Sequence, residues 1–236
     1  FGVIFPITVL ADWIRRNQHT TLPAAATLAQ ATRTTATYSV LSALLVLVAA
    51  TPVAWLSARH PGWLPAIVHR GSFLVRAVPA VIVALTLVYL SINYVFAWYQ
   101  TGWLVVLGYA VMFFPLGLVC AYSTVAAVPA ELSDVARSLG RGPVFTFVRV
   151  SLPLVAPGLA AGLCLVFVTA AGELTATLML APPGMQTLAT QFWAFQSEGS
   201  YGAAAPYALV IIALAVVPGA LLGLWFERRP GSGVMR

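Results

Sequence analysis

The chain has 236 residues, of which 61% are hydrophobic and 8% charged, with a mean hydropathy of +0.93. A soluble domain carries about 25% charged residues because its surface faces water, so twelve basic and six acidic side chains cannot clothe a water-facing globule of this size, although they suffice for the loops of a membrane bundle. The net charge of +6 comes from arginines that stand singly or in pairs between apolar runs, which excludes the basic stripe that nucleic acid needs and fits loops against a cytoplasm and anionic lipid headgroups.

A bilayer core about 30 Å thick needs about 20 mostly apolar residues in a helix. In chain order, residues 1–10 are too short to span and read as the end of a truncated preceding span, with an interfacial helix as the alternative; Phe1 then looks like the start of a fragment. Segment 1–35 is that span with an outer loop. Uncharged or nearly uncharged runs follow at 36–58, 73–98, 102–122, 152–180 and 201–226. They predict an all-α, polytopic integral membrane protein with about five full spans across 36–229 and a tail over 230–236. Cys120 and Cys164 lie inside apolar runs and read as small buried hydrophobes, so they say nothing of redox compartment.

Arginine placement in short loops sets orientation. If 125–151 faces the cytoplasm, alternation puts Arg59, Arg70, Arg76, Arg137, Arg141, Arg149, Arg228, Arg229 and Arg236 inside and leaves Arg15, Arg16 and Arg33 outside. The reverse topology inverts that majority. Tyr94, Trp98, Tyr99 and Trp103 would then mark the outer edge, and Trp55, Trp63, Trp225 and Phe226 the inner one.

The least lipid-like stretch is AVPAELSDVARSLGRGPVFTFVRVSLPLVAPG, between the third and fourth spans. Pro129 can open a helix, and Glu131 and Asp134 then sit near its positive end. Arg137 follows Asp134 on the same face, and Gly140 supplies the left-handed cap. Gly142 and Pro143 make a turn, and 144–150 leads to Leu152 and Pro153 at the next span. A short helix, a glycine corner and a second short element at the cytoplasmic face are well placed to be pushed by a soluble partner.

Asp134, Val135, Ala136, then Gly140, then Val150, Leu152 and Pro153 resemble the cytoplasmic signature of bacterial binding-protein-dependent ABC importer permeases, EAA, three residues, G, nine residues, I, one residue, LP, with both spacings kept. The resemblance implies the type I importer permease fold and a coupling loop at 129–153 that seats in a groove of a cytoplasmic ATPase. Glu131, Asp134, Ala136, Arg137, Leu139, Gly140, Val144, Phe145, Leu152 and Pro153 are the residues expected to serve that contact. No Walker sequence is present, so the chain is not itself an enzyme; ATP and Mg belong to a partner ATPase dimer, and no cofactor is expected here. A second permease half and a periplasmic or lipid-anchored substrate-binding protein complete the implied assembly in the bacterial inner membrane, with lipid around it and no nucleic acid.

In the fourth run, Gly158, Gly162, Val166, Thr169, Glu173 and Thr177 recur in steps of three or four and share a face roughly 100° wide if the helix is continuous. Gly158 and Gly162 form a GxxxG for close helix approach, repeated at Gly219 and Gly223. A carboxylate at membrane depth is costly unless it meets protein or water. Thr169, Glu173 and Thr177 are therefore candidates for a translocation path, with a structural, hydrogen-bonded Glu173 as the alternative. The stretch GELTATLMLAPPGMQTLATQFWAF resembles the ferric-iron class of these permeases; thiamine, polyamine and phosphonate permeases are the alternatives. His19, His60 and His69 are loop residues without metal-ligand spacing, so substrate capture is expected on the binding protein, which would dock on 12–35 and 181–200. Among other classes, a membrane enzyme would need a motif such as HExxH or GxSxG, which the chain lacks. A secondary transporter would show inverted repeats and several intramembrane charges.

Overall fold

The computed structural model describes residues 4–15, 22–59, 77–129, 131–138 and 142–227, with isolated positions at 62, 63, 67, 70, 71, 74 and 140. Among them are helices and turns and no strand: α1 (Ile4–Arg15), α2 (Ala25–Arg59), α3 (Ala80–Tyr94), α4 (Gly102–Ala126), α5 (Glu131–Ser138), α6 (Pro143–Thr146), α7 (Leu152–Ala171), α8 (Thr175–Leu180), α9 (Leu188–Ser197) and α10 (Tyr201–Glu227). A 3-10 turn at Phe96–Trp98 follows α3, and a π turn at Phe147–Ser151 joins α6 to α7. Four helical stretches are long and apolar enough to cross a bilayer: Ala25–Arg59, Gly102–Ala126, Phe147–Ala171 and Tyr201–Trp225. The chain is an all-α integral membrane protein.

Three boundaries differ from the sequence expectation. The first span starts at Ala25 instead of 36, because the Thr- and Ala-rich stretch before 36 is compatible with helix although not apolar. The second, expected over 73–98, is helical as α3 over only 15 residues, about 22 Å at 1.5 Å per residue. Pro79 precedes it in an extended conformation, and Val95 leaves the helical region at φ −139°. The fourth, expected unbroken to 180, stops at Ala171 and restarts as α8.

The chain forms two compact units, one of residues 1–42, 79–109 and 167–218 and the other of 43–78, 110–166 and 219–236. In the first, Ala31, Leu188 and Tyr207 form a buried cluster with Phe192, Phe195 and Ile211 around it, and Phe195 stacks on Tyr207 at 5.7 Å. α8 lies along α3. Thr187 and Thr190 form a reciprocal capping box at the start of α9, and the Leu188 N–H donates to Thr35 Oγ1 at 2.9 Å. The TLAT segment is thus a helix start tied to α2.

In the second unit small residues bring helices close, as expected where lipid gives no hydrophobic drive to association. Ala50, Ala54, Leu118 and Ala121 form a buried cluster. A Cβ on Gly158 would overlap Thr124, and one on Gly162 would come within 2.9 Å of Cys120 Cβ, so the first GxxxG seats α7 on α4. The second does not act this way among the described residues: Cβ atoms on Gly219 and Gly223 would meet nothing within 4 Å.

Candidate functional site

The segment between α4 and α7 folds as the spacing of its turn residues dictates. α5 starts close behind Pro129, and Gly140 has φ +76°, the left-handed conformation that a residue with a Cβ adopts only at a cost. Nothing would lie within 4 Å of a Cβ there, so backbone conformation alone calls for glycine. The second element begins at Pro143 itself, a first-turn position where the missing N–H is harmless. Thr146, buried, donates its N–H and its hydroxyl to the Gly142 carbonyl at 3.0 and 3.1 Å.

Of the expected contact residues, Glu131, Gly140, Phe145, Leu152 and Pro153 are exposed, while Ala136 is buried and holds α5 against its own unit. Leu139 lies outside the described residues, as do the side chains of Asp134, Arg137 and Val144. The structure adds Leu132 and Val135, 42% and 56% exposed, so α5 presents apolar side chains outward beside Glu131. A helical-wheel reading of α5 could not have separated them: 135 and 136 stand three and four residues after 132 and so flank the same side of the helix, and only the packing shows that Ala136 is the buried one.

Sequence reasoning also missed what anchors the segment. Arg59, at the end of α2, donates from Nη2 to the Val128 carbonyl at 2.8 Å, and its guanidinium lies 5.2 Å from the Trp55 ring centroid, within cation–π range. Trp55 meets Phe147 edge-on at 5.3 Å. With Ala58 it packs against the buried trio Val125, Val128 and Val155. No local pattern joins positions 55, 128, 147 and 155.

The expected path residues do not share one helical face, because α7 ends before two of them. The Glu173 N–H bonds the Ala170 carbonyl at 3.1 Å, a tightened last turn, and the Glu173 carboxylate accepts the Ala176 N–H at 2.9 Å, satisfying a donor at the start of α8 that the broken helix leaves unpaired. Thr177 is fully buried; its hydroxyl donates to the Glu173 carbonyl at 2.7 Å and meets the Tyr109 hydroxyl of α4. Thr169 is exposed on α7. Beyond α8, Gly184 at φ +82° turns the chain after Pro182 and Pro183.

A family described as the binding-protein-dependent transport system inner membrane component matches residues 50–230. The chain is 35% identical over 182 residues to the Fe(3+)-transport system permease protein FbpB 2 of Haemophilus influenzae, an alignment covering 77% of the chain and 36% of that protein. It is 42% identical over 108 residues to a probable molybdenum ABC transporter permease protein of Haloferax volcanii, covering 46% and 39%. It is 28% identical over 145 residues to a putative 2-aminoethylphosphonate transport system permease protein, PhnV, of Salmonella typhimurium, covering 61% and 55%. The chain thus spans between about a third and about half of the length of these curated relatives. In fold it resembles a chain of the MetNI methionine ABC transporter, with a TM-score of 0.70 at 15% identity, covering 88% of this chain and 98% of that one. A match that runs from the second half of α2 past the end of α10, with the glycine-cornered segment inside it, decides the assignment: the chain belongs to the inner-membrane components of binding-protein-dependent transport systems.

Proposed function

We propose that this chain is the membrane-spanning part of an ATP-driven importer and that its cargo is ferric iron handed over by a periplasmic or lipid-anchored binding protein. The observation that carries the reading is the corner at Gly140, which holds two short helices between spans and presents Leu132, Val135 and Phe145 outward. Such a surface offers apolar contact to a soluble ATPase. ATP and Mg are held by that partner dimer, and its closure pushes α5 and α6. The π turn and α7 continue α6, so the push reaches membrane-spanning helices, which alternate access between the two faces together with a second permease half.

The iron assignment is supported by the likeness to FbpB 2 over 77% of the chain and by the GELTATLMLAPPGMQTLATQFWAF stretch. Among the described residues no three of His, Cys, Asp and Glu come together, so ligand selection is assigned to the binding protein. The likenesses to molybdenum and 2-aminoethylphosphonate permeases favour a second reading, an oxyanion cargo. The experiment is to purify the chain with its encoded neighbours and titrate the cognate binding protein with ferric iron, molybdate and 2-aminoethylphosphonate. Iron binding together with a co-purifying ATPase supports the proposal; oxyanion binding replaces the cargo, and absence of any ATPase removes the importer reading.

A further inference from the structure

Two ties connect the end of α2 to opposite ends of the coupling segment. On the entry side, Arg59 Nη2 holds the Val128 carbonyl at 2.8 Å, just ahead of α5. On the exit side, Phe147, the first residue of the π turn, meets Trp55 edge-on at 5.3 Å. The stacking of Arg59 on Trp55 and the packing of Trp55 and Ala58 on Val125, Val128 and Val155 make the two ties one body.

The covalent route from α6 into α7 has two irregular points in its hydrogen-bond ladder. A π turn is a wide, irregular interruption of the helical hydrogen-bond ladder, and Pro157 inside α7 leaves the Pro153 carbonyl without its helical donor. Such a stretch can bend, and the edge-on contact between Trp55 and Phe147 gives a push a second route past it. α2 has such a point of its own. Pro52 lies inside it and supplies no N–H to the Val48 carbonyl, and the Thr51 hydroxyl donates to the Leu47 carbonyl at 2.6 Å, a bond that bends helices. An open apolar cavity of about 1030 Å³ borders Val48, Pro52, Trp55 and Phe147, giving the piece beyond Pro52 lateral room.

We propose that residues 52–59 form the lever that receives the ATPase stroke, hinged at Pro52 and driven through Trp55 and Arg59, so that α2 moves with the coupling segment as α7 does. Trp55 and Arg59 are positioning residues in this scheme. The inference rests on the importer reading above.

The test uses the whole complex, with ATPase and binding protein, in proteoliposomes, and reads cargo uptake per ATP hydrolysed. Trp55→Ala and Phe147→Ala each lower that ratio by about fivefold, an ordinary size for a coupling residue, while the ATPase still co-purifies. The double variant is no worse than either single one, and Trp55→Phe, which keeps a ring against Phe147, restores most of the ratio. An unchanged ratio in an intact Trp55→Ala complex, or additive losses in the double variant, overturns the lever. Should Trp55→Ala not assemble, Arg59→Met keeps an apolar stem and removes the bond to Val128: the same loss supports the lever and a normal ratio overturns it. Parent protein that retains no ATPase sinks the importer reading, and the lever with it, an outcome distinct from all the others.

Discussion

At Gly140 and Glu173 the backbone decides what a side chain can do. A Cβ on Gly140 would meet nothing within 4 Å, yet the residue is held at φ +76°, so a substitution there is resisted by conformation, at about 1–2 kcal/mol. Gly140→Val should therefore reduce the ATPase that co-elutes with the detergent-purified chain, whereas Gly140→Asn, which tolerates the left-handed region better, should keep most of it. Equal losses in both would point to lost space at the contact surface. Glu173 was legible as an acid at membrane depth, and its bond to the Ala176 N–H became visible only with the helix break. Glu173→Gln retains an oxygen acceptor, so uptake and thermal midpoint should stay near parental values. Glu173→Ala leaves that N–H without this partner and should cost about 0.5–2 kcal/mol by the measure of helix caps, read as a lower Tm. Lost uptake in the Gln variant at an unchanged Tm would place the charge itself on the cargo's route.

Among the helices, the two GxxxG pairs look alike in sequence and differ in what they meet. Gly158 and Gly162 lie against Thr124 and Cys120, while Gly219 and Gly223 face open space. Gly158→Leu should separate α7 from α4 and lower the Tm of the purified chain by several degrees, as overpacking of about 1–3 kcal/mol does. Gly219→Leu in the same chain should leave it unchanged, and a comparable drop there would mean that α10 is packed in the purified protein. The same contrast explains the boundaries. The cap at Gly140 could be read from a single residue, but the end of α7 could not, since residues 152–180 form a run whose one charge is Glu173. Hydropathy reports burial in lipid or protein alike, and a break that pairs a freed donor, the Ala176 N–H, with its own acid adds no further charge to that run.

For the whole molecule, charge asymmetry and the proposed importer role predict α5 inside and the Phe96–Trp98 turn outside. In a variant with Cys120 and Cys164 replaced by alanine, a membrane-impermeant maleimide applied to intact cells should label Phe96→Cys and not Ser138→Cys, both of which occupy exposed positions. The opposite pattern would invert the topology and leave the coupling segment out of an ATPase's reach.

The sequence by itself determined the solvent, the helical class, the polarity of the loops and the glycine corner, because each follows from composition or from residues a few positions apart. The tertiary structure alone decided that Trp55 and Arg59 hold both ends of the segment between α4 and α7, that Thr177 is enclosed beside Tyr109, and that among the described residues one of the two GxxxG pairs is packed and the other is not. Those pairings join residues 34 to 92 positions apart, and in a chain that is apolar almost throughout, periodicity cannot say which face of a helix meets which neighbour.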